Sequence, residues 1–145
     1  MDHLAIMKKN WWLTQRILTG QKTIETRRYM NKSAPWDKIK TGDIVYFKDS
    51  WSPVTVKAIV SQVDQFADVD ETKRQEILKK YSYADIWTTT ILPEILEYVK
   101  WKKYCIIIHL KNPQAVELFE VDKTWYWNMS AWITLPNIEK IRIFP

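Results

Sequence analysis

The stretch Gly20-Gln21-Lys22-Thr23-Ile24-Glu25-Thr26-Arg27-Arg28 sets three cations and one carboxylate within nine residues, directly after an apolar segment of helical pattern. Asn10 is placed to cap a helix over residues 11–19, and Gly20 fits the position just past its end, where a left-handed backbone is easiest without a Cβ. Leu13 and Ile17, four apart, share a face suited to docking on a core. A strand is predicted over residues 22–28. Alternation sets Thr23, Glu25 and Arg27 on one face and Lys22, Ile24 and Thr26 on the other, although the glycine turn can twist the start of the strand. Glu25 and Arg27 are thus close enough to pair. On a solvated edge such a pair contributes about 0–1 kcal/mol. In a cleft it would orient Arg27 and Lys22 toward an anionic or polar ligand, and arginine's fork suits phosphate or a base edge.

Working outward, Leu4-Ala5-Ile6-Met7 reads as a first strand, and a loop with Pro35 and Trp36 follows the charged stretch. Thr41-Gly42-Asp43 is a turn into a strand over 44–47, Asp49 to Pro53 is a second turn, and residues 54–60 alternate as another strand. Residues 70–81 form a charged helix with Ile77 and Leu78 as its apolar contacts. Thr88-Thr89-Thr90 separates it from a helix over 93–101, with Pro93 in the first turn. Residues 104–110 make a buried strand that Lys111-Asn112-Pro113 ends; 115–121 is extended, and 138–144 is a closing strand. The pattern is one α+β domain spanning 1–145, a small mixed β-barrel with helices flanking its ends.

At 145 residues and 46% hydrophobic content the chain is long enough for a core without staples. The lone cysteine, Cys105, sits in an apolar run and reads as a small core residue, so no internal disulfide forms and a reducing, cytoplasmic setting is expected. Neither a signal peptide nor a bilayer-spanning apolar run is apparent, so a soluble protein without a membrane partner is expected. One cysteine with His3 and His109 offers no zinc-ligand spacing, and no phosphate-cradling Gly-Lys-Ser/Thr loop occurs, so neither metal nor cofactor is expected. A net charge of +5 suits a phosphate-bearing partner. Nine tryptophans exceed what a small core readily absorbs, and indole faces in a basic cleft suit base stacking. Trp36 and Trp51, in loops, are the candidates for that role. Of Trp11 and Trp12, one is expected in the core and the other at the edge of the cleft. Trp125, Tyr126, Trp127 and Trp132 read equally as a lid or a binding platform. Arg28, with Lys32 and Lys38, would extend a phosphate track or form a solvated loop. Thr23 is a hydroxyl donor or simply a strand former, Asp43 a turn residue, and His109 a structural one.

The order of these pieces is specific. A helix, then Gly20-x-Lys22-x-x-Glu25-x-Arg27, then Gly42-Asp43 leading into Ile44-Val45-x-Phe47, resembles the ASCH domain of the PUA-like superfamily. The resemblance covers about residues 4–110, and residues 98–110 are similar to the helix and central strand late in that family. It implies a β-barrel with a cleft beside the motif strand, and binding of nucleic acid, most of all RNA. Lys22, Thr23, Glu25, Arg27, Arg28, Trp36 and Trp51 are the expected contacts. It also implies an alternative: a small hydrolase, either an amidohydrolase of an acylated nucleoside or a ribonuclease, or a reader of a modified base, with Lys22 and Glu25 as the catalytic pair if an enzyme. In the deacylating branch a threonine stands three positions after the lysine. Here Glu25 stands there, and a further glutamate of that branch has Glu71, Glu76, Glu94 and Glu97 as candidates. A protein-interaction module built on the tail tryptophans is a third reading.

Overall fold

Strand β1 (Asp2–Met7) lies between two neighbours, parallel to β3 (Ile44–Asp49) and antiparallel to β6 (Trp132–Leu135). Beyond β3 come β4 (Val54–Phe66), β5 (Tyr104–Val121) and β2 (Ile24–Tyr29), all antiparallel to their neighbours. The order is β2-β5-β4-β3-β1-β6, and the two-residue β7 (Arg142–Ile143) pairs with the late part of β5. Helices α1 (Leu13–Leu18), α2 (Glu71–Ile86) and α3 (Pro93–Val99) complete the fold. The mixed sheet curls into a half-barrel, and the architecture is α+β as the sequence predicts. The computed structural model describes residues 1–9, 12–86, 93–126 and 130–144.

The curl comes from long, bulged strands. Register shifts fall between Val54 and Val56, Lys57 and Ile59, and Val60 and Gln62 where β4 meets β5, and each bulge adds bend and twist. One of them corrects the sequence reading. Lys57 pairs with Gln114 and Ile59 with Lys111, so Asn112 and Pro113 are absorbed inside β5 instead of ending it. Asn112 takes φ 51°, which asparagine tolerates better than most residues, and a proline at a bulge forfeits no ladder bond. The C-terminal expectation also changes. Residues 138–140 form a 3₁₀ turn, only Arg142–Ile143 pairs, and the main late strand is β6. Other boundaries shift: β2 begins at Ile24, after Lys22, and α2 continues past Tyr81 to Ile86. The expected cap at Asn10, Trp11 and the Thr88–Thr90 break lie outside the described residues.

Two apolar layers matter for the site. Ala5, Phe47, Val60, Ile106 and Ile108 pack with Ile17 of α1 on one face of the sheet. Ile24, Cys105 and Ile107 pack with Ile77 and Tyr81 of α2 on the other. Cys105 is thus the core residue the sequence suggests. On β5 the two layers alternate residue by residue, as a strand buried on both faces must.

Candidate functional site

Gly20 turns the chain at φ 81° after α1, a conformation that disfavours any side chain bearing Cβ. The Lys22 amide donates to the Arg16 carbonyl at 3.0 Å, which folds the turn back on the helix. The next amide, of Thr23, donates to the Ala84 carbonyl at 2.8 Å. The motif therefore begins stitched to the last turns of α2, and Asp85 stands beside Lys22.

Lys22 is buried, with 2% of its surface exposed, and it is not the solvated cation of an open cleft. Its ammonium donates to the Asp85 carboxylate and, at 3.0 Å, to the Asp85 carbonyl. Glu25 Oε1 lies 3.6 Å from the same nitrogen, and Glu25 Oε2 lies 3.5 Å from Arg27 Nη2. Four charges thus alternate in sign: Asp85, Lys22, Glu25, Arg27. Burial pushes the Lys22 ammonium toward losing its proton. Asp85 and then Glu25 outweigh that, with Arg27 opposing them, so its pKa stands above the ordinary lysine value. A lysine held this way keeps its proton at neutral pH. The glycine turn has also resolved the face problem, since Lys22 precedes the strand and bends back to meet Glu25.

Glu25 and Arg27 share a face, as alternation predicts. They pair in register with Ile108 and Ile106, while Arg28 sits opposite Cys105 on the other face. Arg27 reaches across the seam between the sheet's edges. Its Nη1 donates to the Ala131 carbonyl at 3.3 Å and its Nη2 to the Ile6 carbonyl at 3.4 Å, and the guanidinium lies 5.1 Å from the Trp132 ring centre. The Glu25 backbone neighbour Thr26 donates its amide to Glu25 Oε1 at 3.1 Å. Glu25 Oε2 is buried and, among the described residues, no group donates a hydrogen bond to it.

The seam continues into a second polar cluster. Trp132 Nε1 donates to His3 Nδ1 at 3.1 Å, and His3 Nε2 lies 2.8 Å from Asp43 Oδ2. An indole N–H can only donate, so Nδ1 accepts and the proton sits on Nε2, directed at Asp43. Burial holds the His3 pKa below its usual value despite the pull of Asp43. For Asp43, burial raises the pKa, but His3 and the Lys40 amide, donating at 3.0 Å, more than compensate and lower it. Asp43 is therefore a turn residue, as expected, and also the anchor of His3.

Several expected contacts stand elsewhere. Thr23 is exposed, and its backbone is what the fold uses. Arg28 points away from Arg27, so these two do not form one track. Trp36 packs against the core and meets Tyr104 edge-on with ring centres 5.1 Å apart, which is a packing role and not a free stacking face. Trp51 is 99% exposed in the β3–β4 turn. Ser50 beside it donates its amide to the Met7 carbonyl, and the Met7 sulfur lies 3.4 Å from Arg27 Nη2. Lys32 lies over Tyr104 and Lys38 is exposed. The tail tryptophans separate: Trp125 is exposed, Trp132 is buried at the seam, and Trp127 is outside the described residues. Trp12 is exposed, and Glu71 and Glu76 face solvent on α2, away from Lys22. Sequence reasoning missed Asp85 and gave His3 no role at the site; Trp132 it names only among the tail tryptophans, as part of a lid or platform.

No protein-family model and no curated protein sequence matches the chain. Among solved structures, the ASCH protein of Zymomonas mobilis superposes with a TM-score of 0.67 at 14% identity, covering 96% of this chain and 90% of that one. A tyrosine-to-phenylalanine variant of the same protein gives TM-score 0.67 at 14% identity over 96% of this chain and 93% of that one. A serine-to-alanine variant gives 0.67 at 13%, over 96% and 91%. Likeness along nearly the full length of both chains, joined to the motif strand and the Gly42-Asp43 turn, shows that this chain has the ASCH fold.

Proposed function

We propose that this domain binds RNA and takes a nucleotide at the seam where Glu25 Oε2 faces Arg27. One observation carries the reading: a buried carboxylate oxygen with no hydrogen-bond donor among the described residues, set beside a guanidinium. Leaving such an oxygen unsatisfied costs about 1–3 kcal/mol or more, and a base amino group is the donor it lacks. Carboxylates accept from exocyclic amino groups in nucleic-acid readout. The exposed indole of Trp51 offers a stacking face, and the net charge of +5 favours the phosphate backbone. A cytoplasmic setting belongs to this reading. Titration of short RNAs with the whole chain tests it. Binding should weaken steeply with salt, and Glu25→Gln should weaken it by about 1–3 kcal/mol, the worth of one base-edge contact. No binding at low salt removes the proposal.

A second reading draws on the approach of Lys22 to Glu25 at 3.6 Å. In a hydrolase or modified-base reader these would flank one nucleoside. Asp85 counts against Lys22 as its base, because it keeps the ammonium charged. Turnover of acylated nucleosides that Lys22→Ala leaves unchanged would discard that mechanism; absence of turnover by the unaltered chain would discard the enzyme.

A further inference from the structure

The alternation that sends Glu25 and Arg27 to the seam sends Arg28 to the opposite face, against α2 and the segment after α3. There Arg28, Arg74 and Lys102 line a small, partly open recess walled by Ile77, Val99 and Cys105. Its interior is about 10 Å³, room for one water-sized group. Three cationic side chains thus line one recess with an apolar floor, the Lys102 ammonium also lying 5.0 Å from the Tyr98 ring centre. The one carboxylate paired here, Glu71, holds Arg74 Nη1 at 2.5 Å and is itself largely exposed. Among the described residues, neither Arg28 nor Lys102 has a carboxylate partner within ion-pair distance. Arg74 is only 8% exposed, and its buried Nε has no acceptor among the described residues. The second guanidinium nitrogen, Nη2, reaches only the Val69 carbonyl at 3.5 Å.

We propose that this recess is an oxyanion site that takes a phosphoryl group, with one oxygen seated among Arg28, Arg74 and Lys102 and the rest of the group at its mouth. A buried guanidinium N–H without an acceptor is costly, and so is the mutual repulsion of cations over a low-dielectric wall. A phosphoryl oxygen removes both penalties at once. Guanidinium groups present planar donors matched to phosphate, and two of the three cations are arginines. The size of the recess admits a single oxygen and excludes a whole nucleobase. Cys105 is a wall and not a nucleophile: burial pushes its thiol up, against a weaker pull from Arg28, so it stays protonated near neutral pH. The site does not depend on the seam, since the two lie on opposite faces of β2.

Thermal unfolding of the full chain in inorganic phosphate, against sodium chloride of equal ionic strength, is the test, with titrations of 5′-phosphorylated and unphosphorylated RNA beside it. Phosphate should raise the midpoint saturably, and the Arg28→Gln/Lys102→Gln double variant should lose that rise. Both replaced side chains are only half-buried, so the fold is expected to survive, and each variant is read against its own phosphate-free midpoint. Glu25→Gln should keep the rise, which separates this site from the seam. If inorganic phosphate has no effect but the double variant binds RNA at least fivefold more weakly, with a shallower salt dependence, the phosphoryl group is that of the nucleic acid; a loss confined to 5′-phosphorylated RNA marks a terminal phosphate. If neither phosphate nor RNA responds to the double variant, the proposal is overturned.

Discussion

At the residue scale, the motif works as a chain of compensated charges. Lys22 is the link between two carboxylates, so removing it leaves Asp85 and Glu25 facing each other without a cation. Lys22→Met should destabilise the fold by about 3–5 kcal/mol, as breaking a buried pair does. Urea unfolding measures this, and a cost under about 1 kcal/mol would mean that water already screens the group. Adding Asp85→Asn should recover part of the loss, a coupling that a double-mutant cycle reads directly. His3 supplies a pH dependence. Its folded pKa lies below the ordinary 6.5, so its contribution is complete above about pH 6.5 and is lost as pH falls through the folded value. Lys22 has the opposite sign: its folded pKa lies above 10.5, so its contribution holds below that pH and fades only in stronger alkali. Thermal midpoints between pH 7 and pH 4.5 should therefore fall in the unaltered chain and fall less in His3→Gln. Equal slopes would show that His3 is not the group responsible.

At the element scale, β5 carries the fold. It pairs with β2 and β4 along its first part and with β4 and β7 along its last. It can do so because the bulge at Asn112 and Pro113 redirects it without ending it. The left-handed φ of Asn112 makes a clear test. Asn112→Gly should be close to neutral, whereas Asn112→Val should cost roughly 1–2 kcal/mol, since a β-branched residue resists that conformation. Equal stabilities of the two variants would remove the bulge as a determinant. Helix α2 shows the same logic from the other side: Arg74, Ile77, Leu78 and Tyr81 lie on its buried stripe, and Asp85, one turn after Tyr81, is carried to Lys22 by the same face. Nothing in the residues around Asp85 announces that partnership, because it depends on where the helix docks.

At the scale of the whole molecule, the half-barrel has two edges, and Arg27 joins them. Its guanidinium, fixed on β2, donates to carbonyls of Ile6 and Ala131 on the far edge. Arg27→Ala should release those carbonyls, so amide exchange should rise first in β1 and β6 while the centre of β5 stays protected. Arg27→Lys should fall between, since an ammonium cannot span both carbonyls as a fork does. Unchanged exchange at β1 and β6 would mean that the seam holds without Arg27. Much of this architecture was legible locally. Gly20 adopts the positive φ that its place past a helix implied, Gly42 turns the chain as its place before a strand implied, and the sharing of a face by Glu25 and Arg27 follows from the two-residue period of a strand. The α+β class and the place of the motif were therefore determined by the sequence itself, through backbone chirality and alternation. Tertiary structure decided the rest. It buried Lys22 by docking α2 against the motif turn, separated Arg28 from Arg27, drew Trp132 and His3 to the seam, and kept Pro113 inside a strand. Those outcomes depend on which distant segments meet, and desolvation, ion pairing and bulge geometry act only once they have met.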